Sequence, residues 1–309
     1  MKILLTGANG FIGSKLCQIL SADPYYELLP VVRQSSSYKF LSIGSIGPNT
    51  DWSKFLSSCE CVIHTAGYTK SLGFKGDLVD ELNLVNVEGT LRLAKQASES
   101  GVRRFIFLST IKVNGEVTEL GEKFLPDDIP SPVDDYASSK YQAEQKLLEL
   151  AIQTGMEVVI IRSPLVYGPE AKGNFGSLIA WANKGIPLPL GSIDNKRSLV
   201  ALDNLVDLIL TCIKHPAAAN QIFFAGDGED LSTTELLQGI AKAAGMSSRL
   251  LPVPASVLMF MASLLGKKKM AQRLLGSLQV DISKARDLLG WTPPLSVEEG
   301  LRRCFVRNA

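Results

Sequence analysis

The residue pair best suited to chemistry in this chain is Tyr136 and Lys140, within Tyr-Ala-Ser-Ser-Lys. Residues four apart on a helix lie one turn apart on the same face. An ammonium beside a phenol stabilises the phenolate and lowers the tyrosine pKa from about 10 toward the working pH. The pair therefore predicts a general acid/base that interconverts an alcohol and a carbonyl. Taken alone it is weak evidence, because this spacing occurs by chance in many helices.

A second group of hydroxyls, on Ser109 and Thr110, ends an apolar run that is typical of a buried strand. Ligands of open α/β sheets bind beyond the carboxyl ends of the strands. A hydroxyl at that edge can hydrogen-bond a substrate oxygen and share its proton with a tyrosine. The structural alternative is a strand that merely ends in polar residues. The presence of Tyr136 in the same chain favours the chemical interpretation.

The element that would position a cofactor is a glycine-rich turn at the start of the chain. An apolar run over residues 3–5 is followed by Gly7, Gly10 and Gly13 and by an apolar helical pattern. The N–H groups and dipole of a helix start attract phosphate. The first glycine permits the tight turn, the second lets the backbone approach a pyrophosphate, and the third lets helix and strand pack. This context favours dinucleotide binding over an ordinary strand-to-helix turn.

The rest of the chain alternates strand-like and helical segments through its first two-thirds. Strands are predicted over residues 28–32, 61–64, 104–109 and 158–162, and helices over 14–20, 84–99 and 137–153. This alternation predicts an α/β fold, a Rossmann-type doubly wound parallel sheet with a smaller C-terminal substrate-binding lobe. We predict a dinucleotide-binding domain over residues 1–164 and a mainly substrate-binding lobe over 165–309. Segments near 198–210 and 222–225 are predicted to return to the main sheet.

Together these motifs resemble the extended short-chain dehydrogenase/reductase family, in its NAD-dependent epimerase/dehydratase branch. The matching motifs run along nearly the whole chain, at residues 6–13, 64–67, 86–90, 110, 136–140, 162–169, 197–203 and 281–291. The resemblance is closest to bacterial UDP-glucose and UDP-N-acetylhexosamine 4-epimerases and 4-keto reductases. It implies a nucleotide-sugar substrate and hydride transfer at C4 of a UDP-hexose or UDP-N-acetylhexosamine. Epimerase and 4-keto reductase are not separated by the sequence.

The resemblance also implies roles for individual residues. Thr110, Tyr136 and Lys140 would be catalytic, with Tyr136 as the acid/base. Thr110, Asn174 and Arg197 would contact substrate, and Arg197 would hold the nucleotide diphosphate by bidentate hydrogen bonds, unless it is a solvated surface arginine. The implied cofactor-binding residues are Gly7, Asn9, Gly10, Phe11, Ile12, Gly13, Arg33, Thr65, Ala66, Gly67, Asn86, Ser109, Tyr136, Lys140, Ser163 and Val166. No metal site is predicted.

Some positions depart from the family pattern. Ile111 and Lys112 stand where the family's sugar dehydratases carry Asp-Glu directly after the catalytic threonine, so a dehydratase is disfavoured. Asn114 replaces a tyrosine that commonly precedes Gly115. Ser45 falls where relatives often place an adenine-binding aspartate, which weakens the prediction of adenine recognition.

The end of the second strand leaves the cofactor as NAD or NADP. A site specific for NAD usually places Asp or Glu there for the ribose hydroxyls. This chain has Arg33, three serines over 35–37, and Lys39. A cation and hydroxyls suit the 2′-phosphate of NADP, whereas Arg33 could equally stack on adenine while NAD binds.

Length, charge and cysteine content limit the domain organisation, the partners and the cellular compartment that can be expected. A chain of 309 residues can form one large or two coupled α/β domains. A net charge of +1 gives no electrostatic reason to expect nucleic acid as a partner. Five scattered cysteines favour free thiols in a reducing cytoplasm, and the N-terminus is typical of a strand, not a signal segment. We predict a cytoplasmic protein, with a homodimer as one option.

An apolar stretch over residues 250–265 precedes Lys267, Lys268 and Lys269. Pro252 and Pro254 break it and leave about eleven helical residues, fewer than the ~20 that span a bilayer. We favour a helix packed over the substrate-binding lobe. The alternative is a surface helix, through residues 255–269, that contacts a membrane or a lipid-linked substrate.

Two other classes of function stay open. One is a reductase of a bulky apolar carbonyl substrate, against which a phosphate-type contact at Arg197 argues. The other is a non-catalytic dinucleotide-binding regulator. The joint presence of Thr110, Tyr136 and Lys140 argues against that class, because a regulator needs only the glycine-rich turn.

Overall fold

The elements of the fold follow from a computed structural model that describes residues 1–35, 37, 39–69, 78–171, 173–184 and 186–306, with the backbone alone at 174, 182–184 and 269. The strands are β1 Lys2–Thr6, β2 Glu27–Val32, β3 Leu41–Ser42, β4 Cys61–His64, β5 Arg104–Thr110, β6 Glu157–Ser163, β7 Leu165–Tyr167, β8 Arg197–Ala201, β9 Gln221–Phe224 and β10 Asp230–Leu231. The helices are α1 Phe11–Ala22, α2 Ser53–Leu56, α3 Leu78–Leu82, α4 Thr90–Glu99, α5 Asp135–Thr154, α6 Gly173–Lys184, α7 Leu202–Lys214, α8 Thr233–Ala243, α9 Ala255–Leu264, α10 Lys268–Leu275, α11 Ser283–Leu289 and α12 Val297–Arg303. A π-helix, Asn83–Gly89, leads directly into α4.

The central sheet has seven strands in the order β3-β2-β1-β4-β5-β6-β9, and its neighbouring strands pair in parallel. The order reverses between β1 and β4, which creates the crevice in which open α/β sheets bind their ligands. The predicted fold class, a Rossmann-type doubly wound sheet, is confirmed.

The apolar strands are explained by burial on both faces of this sheet. Along β5, Phe105 and Phe107 pack into the core on one face, and Ile106 packs into the core on the other. Parallel strands that are buried on both faces therefore have continuous apolar sequences. Arg104 is the exception, and its fully buried guanidinium donates to the carbonyl oxygens at the end of α7, including that of Cys212 at 2.6 Å.

The C-terminal part of the chain is divided between the main sheet and a small second sheet. Strand β9 pairs with β6, so the segment at 222–225 does return to the main sheet. Strand β8 does not, and the prediction for the strand near 198 is wrong. It lies in a three-stranded sheet between β7 and β10, because β9 already occupies the edge of β6. Within the predicted segment 198–210, the part that packs on the main sheet is α7, which follows β8.

The apolar stretch after Pro252 forms α9. Ala255 and Leu258 pack against the core of the C-terminal lobe. Four other large side chains of this helix are exposed, among them Phe260 and Leu264 at 65% and 73%. Within the part of the chain that the structure describes, every helix is too short or too polar to cross a bilayer.

Candidate active site

The turn between β1 and α1 is built around glycines that the backbone itself requires. Gly7 has φ +69°, and a Cβ there would lie 2.8 Å from the amide nitrogen of Ala66. A Cβ on Gly13 would lie 2.1 Å from the Gly7 carbonyl oxygen. Gly10 is different, because a Cβ there would meet only the Gly7 carbonyl oxygen, at 3.1 Å. The lack of a side chain at Gly10 therefore matters less for the turn itself than for the room it leaves outside the turn.

Helix α1 starts at Phe11 without a side-chain cap, with Gly10 as its extended N-cap residue. Its first N–H groups have no partner within the helix, and the helix starts just beyond the carboxyl end of β1. Together with the room that Gly10 leaves, this start fits the pyrophosphate of a dinucleotide. The predicted cofactor residues Asn9, Phe11 and Ile12 lie in the same turn.

A buried hydrogen-bond chain fixes the neighbouring strand ends. His64 bridges Thr6 and Thr90, with Nδ1 2.7 Å from the Thr6 hydroxyl and Nε2 2.9 Å from the Thr90 hydroxyl. Burial lowers the pKa of His64 to about 3, so the ring is neutral at physiological pH. Thr65 then donates to the Thr6 carbonyl oxygen at 2.7 Å. This chain holds the predicted cofactor residues 65–67 against the glycine turn.

Asn86 lies in the π-helix and is buried. Its Oδ1 accepts from the amide of Tyr68 at 2.6 Å, and its Nδ2 donates to the Tyr68 carbonyl oxygen and to the Ser139 hydroxyl, both at 3.0 Å. The structure therefore makes Asn86 a brace between the segment after β4 and α5. Its predicted contact with the cofactor stays a prediction.

An open pocket of about 500 Å³ lies at the end of β2 and is lined by Asn9, Arg33, Gln34, Gly44 and Ser45. It adjoins the glycine turn, so it fits the adenosine half of a dinucleotide. None of these five described lining residues is acidic. A guanidinium without a carboxylate is compatible with either cofactor and offers a partner for a 2′-phosphate.

The predicted catalytic residues come from two elements that are tied together. Thr110 ends β5, and Tyr136 lies in the first turn of α5. Asp134 is the N-cap of α5 and accepts from the amide of Ala137 at 2.7 Å. Its other oxygen forms an ion pair with Lys112, whose amide donates to the Thr110 hydroxyl at 3.3 Å. The strand end and the helix start are thus held in register, so Ile111-Lys112 has a structural role in place of the dehydratase carboxylates.

The electrostatics of the Tyr136–Lys140 pair differ from the sequence-based prediction. Burial raises the pKa of Tyr136 to about 12, and the Asp134 carboxylate adds to the shift. Burial lowers the pKa of Lys140 to about 7, although the Glu144 carboxylate opposes this. The Lys140 ammonium lies 3.8 Å from the centre of the Phe107 ring. The phenol is therefore protonated. The expected lowering of its pKa by Lys140 is absent, because burial favours the uncharged amine of Lys140.

Behind the predicted catalytic residues lies a buried ion pair that was not predicted from the sequence. Arg162 on β6 and Glu144 on α5 are 2.6 Å apart and almost fully buried. Glu144 also accepts a hydrogen bond from the Ser109 hydroxyl. Arg162 donates to Oδ1 of Asn114 at 2.9 Å, which explains the asparagine at that position. The signal in the sequence was Glu144, one turn beyond Lys140 on the same helix.

Two further predicted cofactor residues lie at the end of β6 and in β7. Ser163 ends β6 opposite Thr110, and its hydroxyl lies 3.4 Å from the Ser109 carbonyl oxygen. Val166 lies in β7 and is partly buried against the core of the main sheet. Both are therefore at the carboxyl edge of the sheet.

Arg197 is the first residue of β8 and is partly buried, so it is not a solvated surface arginine. Its Nη1 donates to the Gly276 carbonyl oxygen at 3.0 Å. Burial lowers its pKa, and the Glu116 carboxylate opposes the shift. Glu116 also pairs with Arg273 at 2.9 Å and with Lys112 at 3.5 Å, which connects Arg197 to the Thr110 segment. Arg273 was missed by sequence reasoning, and the side chain of Asn174 lies outside the described residues.

The arrangement combines a cradle for a dinucleotide, a protonated phenol at the edge of the sheet, and cationic groups on the lobe opposite. Residues 3–226 match the NAD dependent epimerase/dehydratase family. The chain is 46% identical to a UDP-glucose 4-epimerase of Vibrio cholerae, over 97% of this chain and 93% of the relative.

More distant relatives agree on the fold. The chain is 25% identical to an Escherichia coli O157:H7 N-acetyl-alpha-D-glucosaminyl-diphospho-ditrans,octacis-undecaprenol 4-epimerase, over 97% of this chain and 93% of the relative. A crystal structure of a Bacillus cereus UDP-glucuronic acid 4-epimerase in complex with NAD superposes with a TM-score of 0.78 at 23% identity, covering 98% of this chain and 97% of that one. This chain belongs to the NAD-dependent epimerase/dehydratase family.

Proposed function

We propose that this protein is an NAD(P)-dependent 4-epimerase of a UDP-hexose or UDP-N-acetylhexosamine. The observation that carries the proposal is the 46% identity to a UDP-glucose 4-epimerase along almost the full length of both chains. The site supports it, because a cofactor cradle, a phenol and a partly buried guanidinium are the groups that such a reaction needs.

Each residue has a role that follows from its surroundings. The residues around the glycine turn would hold the dinucleotide, whose nicotinamide would supply a hydride acceptor and donor for C4 of the sugar. Tyr136, once it is ionised beside a charged Lys140, accepts the proton of the C4 hydroxyl as the alcohol becomes a ketone, and the phenol so formed gives that proton back afterwards. Thr110 hydrogen-bonds the same oxygen. Lys140 has a pKa of about 7. A group that binds beside it can therefore change its protonation, and with it the positive charge that favours ionised Tyr136. Arg197 holds the diphosphate.

The reaction is tested with purified protein, UDP-glucose and UDP-N-acetylglucosamine, without added cofactor. We expect retained cofactor and conversion of at least one sugar into its C4 epimer, measured by NMR. No epimerisation in this assay, together with consumption of one NADPH per UDP-4-keto sugar in a second assay that supplies both, would instead indicate the reductase. Failure to bind any uridine diphosphate would leave the apolar-carbonyl reductase as the better hypothesis, and binding without turnover would favour the regulator.

Arg197 and Arg33 provide a matched pair of variants for the substrate assignment. Arg197→Ala should weaken UDP binding by roughly 1.5–3 kcal/mol, the scale of a hydrogen bond to a charged group, and should hardly change NAD(P) affinity. Arg33→Ala should do the reverse. Isothermal titration of UDP and of cofactor against both variants checks this, and an equal loss of both ligands in either variant would contradict it.

A further inference from the structure

The exposed face of α9 has the spacing of a core-facing stripe but points to solvent. Val257, Phe260, Met261 and Leu264 follow the i, i+3, i+4, i+7 pattern that normally faces a protein core. Their exposed fractions are 44%, 65%, 54% and 73%. The helix contacts its own lobe through the opposite side, with Ala255 and Leu258. An unpartnered apolar stripe of this kind marks an interaction surface.

The apolar surface continues beyond α9. Leu265 is 69% exposed, and Met270 is exposed in α10. The segment before α9 pairs with the chain near Leu188, where the Leu251 amide donates to the Leu188 carbonyl oxygen at 2.8 Å. Leu251 and Ile186, in these two paired segments, are 51% and 55% exposed. We call these residues, with the stripe of α9, the apolar patch.

The segment of the chain that carries α9 and α10 has charges of one sign. Residues 236–280 contain no Asp or Glu, although the whole chain is nearly neutral at +1. The same segment contains Lys242, Arg249, Lys267, Lys268, Lys269 and Arg273. Lys267 and Lys268 are exposed directly after the stripe, where the Lys267 amide donates to the Ala262 carbonyl oxygen at 2.7 Å. Apolar side chains beside lysines suit a surface that is apolar inside and anionic outside.

We propose that the apolar patch, with Lys267 and Lys268, binds the surface of an anionic lipid bilayer, with α9 lying in the interface plane. A second copy of this chain fits less well, because a two-fold contact would set the acid-free segment against itself. The patch is connected to the site, since α10 ends at Leu275 and the carbonyl oxygen of the next residue, Gly276, accepts a hydrogen bond from Arg197. Binding would therefore hold the substrate cleft close to the membrane surface.

The test is flotation of the full-length protein with vesicles. Vesicles of phosphatidylcholine with phosphatidylglycerol should carry the protein upward, pure phosphatidylcholine vesicles much less, and high salt should weaken the binding. The pair Lys267→Gln and Lys268→Gln should reduce partitioning roughly 30-fold. Phe260→Glu should reduce it roughly 10- to 100-fold. None of these residues belongs to the proposed catalytic or nucleotide-binding groups, so sugar-nucleotide turnover in solution should persist.

Matched controls make the result specific. Ile129→Glu changes a side chain that is 91% exposed elsewhere on the molecule, and Lys54→Gln with Lys95→Gln removes two lysines outside the acid-free segment. These controls should float like the unaltered protein. No flotation with phosphatidylglycerol vesicles would overturn the proposal, as would an equal loss in the controls. A change of oligomeric state in Phe260→Glu, with flotation unchanged, would assign the patch to contact between copies instead.

Discussion

At the scale of single residues, the site depends on groups whose surroundings change their ordinary chemistry. Tyr136 and Lys140 have pKa values moved in opposite directions by burial, toward the neutral forms of both side chains. A protonated phenol is a ready proton donor to a ketone. To act as a base, the phenol needs positive charge nearby when the substrate alcohol is oxidised.

Tyr136→Phe is therefore expected to lower turnover of the UDP-sugar by about 10²–10⁴-fold, the usual contribution of a general acid/base. Cofactor binding and thermal stability should stay close to normal, since the phenyl ring keeps the packing. Tyr141→Phe, on the same helix, is the control and should keep its activity. Steady-state assays with both variants check this, and a fully active Tyr136→Phe enzyme would show that another group moves the proton.

Substitutions at Gly10 and Gly13 should affect cofactor binding and folding stability separately. Gly10→Ala places its Cβ 3.1 Å from one carbonyl oxygen, so we expect a small change in Tm and a cofactor affinity at least about 10-fold weaker, because the methyl obstructs the pyrophosphate. Gly13→Ala meets backbone at 2.1 Å, and overpacking should cost about 1–3 kcal/mol of stability. Cofactor titration and thermal melts measure both effects. Unchanged affinity in Gly10→Ala would make its role structural only.

At the scale of elements, two contacts fix the catalytic edge: the Lys112–Asp134 pair in front and the Glu144–Arg162 pair behind. Both join α5 to the region around the end of β5. The rear pair is the more costly one to disturb, because neither charge can reach water. Its hydrogen bonds to Ser109 and Asn114 satisfy groups that burial would otherwise leave unpaired.

Glu144→Gln should accordingly lower the free energy of unfolding by about 3–5 kcal/mol, since it leaves the Arg162 guanidinium buried without a counter-charge. Glu149→Gln, at an exposed position of the same helix, should change stability by less than about 0.5 kcal/mol. Urea unfolding of both variants makes the comparison. If the two variants were equally stable, the buried pair would have no role in holding the edge.

At the scale of the whole molecule, His64 makes stability depend on pH. Its pKa is lowered from 6.5 to about 3 by burial in the folded chain. Below pH 6.5 the unfolded chain binds a proton that the folded chain does not, so stability falls as the pH drops toward 3. We expect a loss that approaches about 1.4 kcal/mol per pH unit from this group.

The measurement is urea unfolding at several pH values between 6.5 and 5. His64→Asn removes the titrating group and should flatten the pH dependence over this interval, although it also lowers stability overall by breaking the links to Thr6 and Thr90. An identical pH dependence in both proteins would mean that other groups cause it.

The sequence by itself determined the elements that carry the glycine turn and the candidate catalytic residues. Strand β4 lies at the predicted residues, and β5 and α5 differ by only one or two at their ends. The elements are predicted correctly because a parallel strand buried on both faces must be apolar throughout. In addition, a glycine-rich turn between a strand and a helix is typical of the first unit of a Rossmann-type sheet. Such constraints act over a few neighbouring residues and can therefore be read locally.

Only the tertiary structure decided which sheet β8 joins, what Asn114 and Asn86 contact, and how burial shifts the pKa values of Tyr136 and Lys140. Strand β8 has an apolar pattern that suits either sheet, and competition with β9 for the edge of β6 determines its place. The stripe of α9 has the spacing of a buried helix, yet the lobe covers its other side. The burial of a side chain depends on groups far apart in the chain, so it cannot be inferred from residue spacing alone.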